Sequence, residues 1–540
     1  MQTKLLNKSL WEMFGNSVKN NLNKPIFHLS PHNSIKYYDF YKTICDQKLF
    51  LQNQNIKKGD IVLVVGKNTH NWASLSYAIN SVGGIFVPMF EEQQNEITSH
   101  MLNQIKPKII FNSTSKSILH MYENFEKDKT IEINHEKHIF SNNLLEIKLN
   151  TEPDLSENDI AVILYTSGTS GFPKGVPLTN KNILSNIEAI NFCSQQNSNC
   201  SVSSDDKFLS FLPWYHSYGF TGELNYVIYS GASIYRNNKL ENLRRDIVDN
   251  NPTVICAVPR LFQLMHNKVR LIEKTPKTPN FLLPTVNKIV KSKLFGKNIR
   301  FCTVGGSAMP PDTLNFFNNM GLNIYEGYGT TECSPMITLN NHQQKGSVGK
   351  ILGCNDVMID TDSTEETLDV DRSMKIYYNN NNIGEILVSG TNVMSNYLGF
   401  DKVVSHKYIN GKYWYKTGDV GYVENGYLYL TGRIKEQYKL SNGKFVNPVD
   451  LENILLSIPE IKQVVVFGKD EEFNTAIIVT NVDESLIKSK IELIKHKFKK
   501  YEIPQKLILT KEEFTTENGL LTQKKSQKRN EIISKYTYKI

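Results

Sequence analysis

The sequence predicts an α/β fold with a large multi-sheet N-terminal domain and a small α+β C-terminal domain. Short apolar runs are predicted as strands, at residues 61–65, 160–165, 301–304 and 385–388. They alternate with longer amphipathic stretches, which is typical of α/β domains. Several of the runs end in glycine-rich turns, where ligands bind in open α/β sheets.

The last hundred residues have a different pattern. Strands are predicted at residues 463–467, 475–480 and 506–510, and a basic helix at residues 484–501. A hairpin-like segment, residues 421–431, precedes this unit. We therefore predict two domains, residues 1–433 and residues 434–540.

Composition excludes several classes of protein. The 540 residues carry 62 Lys and Arg against 54 Asp and Glu, a net charge of only +8, which argues against a dedicated nucleic-acid binder. No apolar run approaches the roughly 20 residues that span a bilayer, and the first residues do not resemble a signal peptide. The seven cysteines form no CxxC pair, so neither a disulfide framework nor a zinc site is indicated. We expect a cytoplasmic protein; contact of basic residues 488–500 with anionic lipid stays open.

The most informative segment is ILYTSGTSGFPKG, residues 163–175. An apolar strand leads into a loop with three glycines, several hydroxyl groups and Lys174. Glycines let backbone N–H groups approach an anion, while hydroxyls and an ammonium donate to phosphate oxygens. Because Pro173 precedes the lysine, the segment is not a Walker A loop. It predicts a phosphate-binding loop of another kind.

This loop resembles the signature of the adenylate-forming acyl-CoA synthetases, also called AMP-binding enzymes. Further segments resemble that family in its order along the chain, and VPRLF and the last segment are most similar to its long-chain branch. These segments are FLPWYHSYG (211–219), VPRLF (258–262), VGGSAMPP (304–311), YEGYGTTECSP (325–335), GEILVSGTNVMSNYLG (384–399), YKTGDVGYVENGYLYLTGR (415–433) and IKEQYKLSNGKFVNPVDLEN (434–453).

The resemblance implies the adenylate-forming enzyme fold, with a mobile C-terminal domain, and a two-step ligation. A carboxylic acid, most simply a medium- to long-chain fatty acid, attacks ATP to give an acyl-adenylate. A thiol then displaces AMP to form a thioester, so ATP, Mg²⁺ and coenzyme A are implied. Two alternatives stay open: acyl transfer to a carrier-protein pantetheine, and a catalytically impaired homologue that binds nucleotide or acyl groups.

The resemblance also implies roles for individual residues. Lys174 and Glu332 are implied as catalytic, and Thr166 and Glu332 as holding Mg²⁺, which prefers oxygen ligands. Tyr328 is implied on one face of adenine. The implied nucleotide-binding residues are Thr166, Ser167, Gly168, Thr169, Ser170, Gly171, Lys174, Gly305, Gly306, Ser307, Glu326, Gly327, Tyr328, Gly329, Thr330, Thr331, Asp419 and Arg433.

Other implied roles concern the acid and the second half-reaction. His216 lies in the segment that lines the acyl site of the family and is implied as a catalytic residue that gates or orients the carboxylate, with an ordinary loop histidine as the alternative. Lys435 occupies the family's hinge position. The predicted coenzyme A contacts are Ser441, Asn442 and Gly443.

One segment departs from the family pattern. Long-chain members end with a motif whose lysine bridges the substrate carboxylate and the α-phosphate, but residues 520–529 here read LLTQKKSQKR. An ungapped alignment places Ser526 at the catalytic position. We predict that the neighbouring Lys525 takes this role, Lys524 being the next candidate; otherwise adenylation is impaired.

Overall fold

The computed structural model describes residues 5–90, 95–112, 130–132, 153–166, 173–236, 242–272, 283–307, 309–361, 383–434, 438–442, 444–521 and 527–537. The chain divides into two compact units: a first unit of residues 1–356 with 388–415, and a second of residues 357–387 with 416–540. The predicted boundary after residue 433 stays a prediction.

The first unit contains two sheets flanked by helices. Its helices are α1 (Leu10–Asn21), α2 (Tyr37–Asn53), α3 (His70–Ser81), α4 (Asn95–Ile105), α5 (Asn180–Gln195), α6 (Tyr226–Tyr229), α7 (Leu243–Asn250), α8 (Pro259–Ile272), α9 (Leu283–Phe295) and α10 (Pro311–Asn319). A π-helix, Tyr218–Asn225, leads into α6, and a 3-10 turn, Thr331–Cys333, precedes a strand of the site.

The smaller of these sheets carries the phosphate loop. Its strands are β3 (Ile61–Val65), β4 (Ile85–Met89), β5 (Ile109–Asn112), β6 (Thr130–Glu132), β7 (Ile160–Thr166) and β8 (Lys174–Thr179). The order is β6-β5-β3-β4-β7-β8, and only the last pair is antiparallel. Strands β3 and β4, at the centre of this sheet, are apolar along their whole length because both faces are covered, as in other parallel sheets.

The second sheet carries the candidate nucleotide residues. Its strands in the first unit are β1 (Pro25–Ser30), β2 (Asn33–Lys36), β9 (Lys207–Ser210), β10 (Ser233–Arg236), β11 (Val254–Ala257), β12 (Phe301–Val304), β13 (Asn323–Gly329), β14 (Met336–Leu339) and β15 (Gly349–Ile351). The order is β15-β14-β13-β12-β11-β9-β10-β1-β2, parallel from β13 to β1. Apolar residues of these strands and of helices α7 to α10 form its core.

Several strands pass from one unit into the other along the chain: β16 (Asn355–Asp360), β17 (Gly384–Gly390) and β19 (Lys412–Glu424). Strand β18 (His406–Ile409) pairs with the first-unit end of β19. Strand β20 (Tyr427–Arg433) completes the predicted hairpin, whose turn residues Asn425 and Gly426 both have positive φ, the conformation that tight hairpin turns require.

The rest of the second unit is small and mixed. Its elements are β21 (Tyr438–Lys439), β22 (Phe445–Val446), α11 (Pro448–Leu455), β23 (Gln463–Phe467), β24 (Thr475–Val479), α12 (Glu484–Ile494), β25 (Lys506–Thr510) and α13 (Arg529–Thr537). Strands β21 and β22 pair with each other, and the other three strands form a sheet in the order β23-β24-β25. The α+β prediction for this region is therefore confirmed.

The predicted basic helix is shorter than expected. It ends at Ile494, a 3-10 turn follows, and Phe498 is extended and buried in the core of this unit. Burying the ring supplies more free energy than another exposed, lysine-rich turn would. Within the described part of the chain, no helix is long and apolar enough to cross a bilayer.

Candidate active site

The phosphate segment begins and ends on a pair of hydrogen-bonded strands. Thr166, the last residue of β7, is the cross-strand partner of Lys174, the first residue of β8. The hairpin therefore fixes the two ends of the predicted loop side by side. Five predicted phosphate contacts lie outside the described residues: Ser167, Gly168, Thr169, Ser170 and Gly171.

The ammonium of Lys174 lies over two aromatic rings. Its Nζ is 4.9 Å from the ring centre of Tyr397 and 5.5 Å from that of Phe400. A cation is attracted to the face of such a ring, which favours one orientation of this flexible side chain. The segment that carries these rings is anchored to β8, because the Leu398 N–H donates to Gly175 O at 2.9 Å.

Glu332 occupies the 3-10 turn that follows β13 and is buried, with 7% exposure. Its Oε1 accepts a 2.6 Å hydrogen bond from the Tyr397 hydroxyl. Burial, together with the adjacent carboxylate, raises the pKa of Tyr397, so this phenol stays a donor. The Met394 N–H donates to Glu332 O at 2.8 Å, which fixes the backbone as well.

The residues around Glu332 suit a magnesium ion. Thr330 Oγ1 is buried and has no hydrogen-bond partner within the described residues. The neighbouring Thr331 hydroxyl instead pairs with the Ser217 hydroxyl at 3.0 Å. One carboxylate and a spare hydroxyl oxygen match the ligands that Mg²⁺ prefers when phosphates supply the rest. Across the described ranges, no cluster of three or more His, Cys, Asp or Glu side chains offers an all-protein metal cage.

The predicted adenine residues lie on adjacent strands. A Cβ at Gly305 would stand 3.2 Å from Gly327 O, so the turn after β12 closely approaches β13. A Cβ at Gly329 would meet Pro335 O at 1.9 Å, which explains glycine there. Gly306 and Ser307 are exposed, and Tyr328 is partly exposed, as expected of residues that contact a ligand. Burial raises the pKa of Glu326 to about 7.

His216 begins the turn that leads into the π-helix. Its carbonyl accepts from the Phe220 N–H at 2.8 Å, and its ring lies 4.4 Å from that of Tyr215. Through Ser217 the same turn reaches the Glu332 turn, as described above. The hydrogen bond between Ser217 and Thr331 therefore links the residue after His216 to the residue before Glu332.

An apolar cavity of about 40 Å³ lies beneath the adenine residues, between helix α5, the π-helix and the sheet. Next to the site, Tyr218 donates to or accepts from Thr303 Oγ1 at 2.8 Å. Deeper in, Ser194 and Tyr226 share a 3.0 Å hydrogen bond. The lining residues are Ile190, Ser194, Cys200, Val202, Phe208, Tyr218, Gly222, Tyr226, Cys256, Phe301, Thr303, Tyr325, Met336 and Leu339. A space of this chemistry suits an apolar group.

The second unit holds the remaining predicted site residues. Asp419 and Arg433 are register partners on β19 and β20, and Arg433 Nε lies 2.8 Å from Asp419 Oδ1. Ser441 and Asn442 are exposed in the loop between β21 and β22. The described residues do not include Lys435, Gly443, Lys524, Lys525 or Ser526.

Sequence reasoning missed Tyr397. It lies in the segment GEILVSGTNVMSNYLG, which carried family resemblance but no assigned role. Only the fold brings this tyrosine between Lys174 and Glu332, which are distant in sequence. The sequence did contain one usable signal, which is the polar residues that precede Tyr397 in an otherwise β-rich stretch. Runs of polar residues favour loops, and their side chains form hydrogen bonds with backbone groups.

Comparison with known proteins then decides the family. Residues 14–398 match the AMP-binding enzyme family, and residues 435–540 match the AMP-binding enzyme C-terminal domain. This protein is an AMP-binding enzyme. The predicted family and fold are confirmed, and the chemistry of this family's named relatives is of the acyl-CoA ligase type, with ATP, Mg²⁺ and coenzyme A as its small molecules.

Three relatives illustrate the range of this AMP-binding enzyme's neighbours. Mouse long-chain-fatty-acid–CoA ligase 5 is 26% identical, over 97% of this chain and 87% of its own length. The o-succinylbenzoate coenzyme A synthetase of Bacillus subtilis, solved with ATP and magnesium, has a TM-score of 0.73 at 20% identity, covering 97% of this chain and 99% of its own. The A-PCP didomain of a Segniliparus rugosus carboxylic acid reductase, solved with AMP, has a TM-score of 0.82 at 17% identity, covering 99% and 82%. These structures establish the shared fold.

Proposed function

We propose that this enzyme activates a medium- to long-chain fatty acid with ATP, through an acyl-adenylate, and transfers it to coenzyme A. The observation that carries the proposal is the apolar lining of the cavity next to the adenine residues, whose polar groups bond to each other and whose volume of about 40 Å³ has room for only part of an acyl chain. An apolar tail loses nothing by entering such a space, whereas a charged or strongly polar acid would lose hydration. The name of the mouse relative supports the same substrate class.

The chain's own residues supply binding and charge. The acid carboxylate and the α-phosphate are both anions, so the reaction depends on positioning and charge neutralisation. Lys174 places an ammonium at the phosphate loop, while Glu332 and Thr166, together with Thr330, would hold Mg²⁺, which when bound neutralises phosphate charge. His216 would orient the carboxylate, and Tyr328 and Gly305 would enclose the adenine.

A panel of acids tests this proposal. Acids of increasing chain length, with aryl and acetate controls, are supplied with ATP, and pyrophosphate release is measured before coenzyme A is added. We expect the largest kcat/KM for a medium- to long-chain fatty acid. If an aryl acid such as o-succinylbenzoate is preferred by orders of magnitude, the fatty-acid proposal is wrong, although an adenylate-forming enzyme remains.

The acceptor thiol is a separate matter. The carboxylic acid reductase didomain carries its own PCP domain, so a carrier protein is the competing acceptor. Ser441 and Asn442 are exposed in a loop that would contact either pantetheine. We propose free coenzyme A, and purified enzyme given acyl-adenylate with either coenzyme A or a carrier protein separates the two by rate.

We also propose that Lys435 is the hinge about which the smaller domain turns between half-reactions. Lys435→Pro fixes φ near −65° and should hinder that rotation. Adenylation should persist while thioester formation slows, and equal slowing of both would contradict the hinge.

The impaired-homologue alternative depends on Ser526. A serine hydroxyl cannot neutralise two converging anions, whereas the ammonium of Lys525 is carried on a long flexible stem. We predict that Lys525→Ala loses adenylation by about 30-fold or more, corresponding to roughly 2 kcal/mol, yet still converts supplied acyl-adenylate to thioester.

Lys524→Ala is the matched control for Lys525→Ala, and Ser526→Lys the opposite test. If Lys525→Ala and Lys524→Ala both stay fully active, neither of the two lysines that precede Ser526 neutralises the anions during adenylation. If Ser526→Lys raises adenylation by orders of magnitude, the natural enzyme is an impaired member of its family.

A further inference from the structure

Tyr397 contacts both charged residues of the site with different parts of its side chain. The hydroxyl donates to Glu332 Oε1 at 2.6 Å, and the ring centre lies 4.9 Å from Lys174 Nζ. Tyr397 is 9% exposed and Glu332 is 7% exposed, so the hydrogen bond between them is shielded from water, whereas Lys174 is partly exposed. Shielding strengthens a hydrogen bond to a carboxylate, and the face of the ring attracts the Lys174 cation.

The backbone that carries Tyr397 is held on both sides. The Asn182 side-chain amide donates to Thr391 O at 2.8 Å and to Val393 O at 3.0 Å. Asn392 donates to Cys333 O at 2.7 Å, next to Glu332. The Leu398 N–H donates to β8, next to Lys174. Residues 391–400 therefore form a strap between the phosphate segment and the Glu332 turn.

We propose that Tyr397 is a positioning residue that couples the two halves of the nucleotide site: its hydroxyl aims the Glu332 carboxylate toward Mg²⁺, and its ring aims Lys174 toward the phosphates. This rests on the proposed function only for the roles of Lys174 and Glu332. A tyrosine that merely fills the core would leave both charged groups unaffected when its hydroxyl is removed. The two contacts therefore predict effects that can be separated.

Two substitutions separate the hydroxyl from the ring. Tyr397→Phe keeps the ring over Lys174 and removes only the donor to Glu332, while Tyr397→Leu removes both. Tyr415→Phe is the control for the hydroxyl, because the Tyr415 hydroxyl lies 3.5 Å from that of Tyr397 and has no hydrogen bond to Glu332 among the described contacts. Phe400→Leu is the control for the more distant ring, at 5.5 Å from Lys174.

The measurement is ATP binding to the full-length enzyme by calorimetry, with Mg²⁺ and with a chelator, accompanied by KM for ATP and kcat. For Tyr397→Phe we expect Kd for ATP to rise about ten-fold with Mg²⁺ and to stay within about two-fold without it, since one hydrogen bond to a charged group is lost. For Tyr397→Leu, Kd should rise under both conditions. Tyr415→Phe should change Kd less than Tyr397→Phe does, because the Tyr415 hydroxyl reaches Glu332 only through that of Tyr397, and Phe400→Leu should have the smaller effect of the two ring variants.

Several outcomes overturn the proposal: no change in Tyr397→Phe, an equal change with and without Mg²⁺, or a wild-type enzyme that does not bind ATP. Circular dichroism and thermal unfolding identify a variant that fails to fold. If Tyr397→Leu fails to fold, the test rests on Tyr397→Phe, which loses only one oxygen atom. If the wild type binds ATP with Mg²⁺ dependence but adenylates no acid in the panel, the proposed function fails while the Tyr397 proposal stands on the binding data.

Discussion

The first unit buries one glutamate in the 3-10 turn and another in the π-helix, and the two carboxyl groups have different hydrogen-bond partners and neighbouring charges. Glu332 in the 3-10 turn accepts from a tyrosine whose ring also faces a lysine, and the hydroxyl beside it, on Thr330, has no partner within the described residues. Glu223 in the π-helix accepts from Ser210 Oγ at 2.5 Å and Trp214 Nε1 at 3.0 Å, both neutral donors.

The difference appears in the protonation of Glu223. Burial raises the pKa of Glu223 to about 8, although its two donors act in the opposite direction. At neutral pH it is therefore mostly an uncharged acid, whose Oε2 accepts both hydrogen bonds. A buried carboxyl is thus not a site by itself; a nearby cation and a spare oxygen ligand distinguish the Glu332 turn.

The largest expected effect is on adenylation activity, which substitutions around Glu332 should reduce and substitution of Glu223 should not. Lys174→Ala and Glu332→Ala should each reduce kcat/KM for adenylation by about 30- to 1,000-fold, because losing an anchored charge costs about 2–4 kcal/mol of transition-state stabilisation. Glu223→Gln keeps an acceptor oxygen and should retain most of the activity. Pyrophosphate release measures all three, and near-normal rates in either alanine variant would remove the basis of the site assignment.

The sequence allowed prediction of a minority of the strands, such as β3, β7 and β12, where the apolar runs are strongly patterned and bounded by glycine-rich turns. Lys174 and Glu332 were identified because each lies within a contiguous family motif. Tyr397 and Glu223 were not, since their importance depends on contacts across the fold that no local pattern contains. The end of helix α12 was misjudged for a similar reason: Phe498 is drawn into a core whose other members are distant in sequence.

The next prediction concerns the π-helix as a wall of the cavity. A Cβ at Gly222 would stand 3.0 Å from the Tyr218 ring, so Gly222→Val should narrow the cavity. We expect kcat/KM for long acids to fall about 10- to 100-fold relative to short ones, the scale at which hydrophobic pockets discriminate by size.

Gly15→Val, in helix α1, is the matched control for Gly222→Val, because a Cβ there meets nothing within 4 Å. Equal losses for all chain lengths in Gly222→Val, against unchanged rates in Gly15→Val, would mean that the acid binds elsewhere in the enzyme.

The last effect concerns stability and leaves activity aside: it is the pH dependence of the free energy of unfolding due to Glu223. The pKa is about 8 in the folded chain and about 4.5 when unfolded, so the folded state holds a proton that the unfolded state releases. The resulting stabilisation is complete below pH 4.5 and is lost as the pH rises through 8, by at most about 1.4 kcal/mol per pH unit. Glu223→Gln cannot titrate, so the free energy of unfolding of the wild type should fall relative to this variant between about pH 5 and 8.

Urea unfolding of both proteins at a series of pH values measures this difference. Titrating groups that both proteins share, such as Glu326, contribute equally to the two profiles and cancel. Parallel profiles for the two proteins would show that Glu223 is already ionised in the folded enzyme, and the contrast with Glu332 would then have to rest on the neighbouring cation alone.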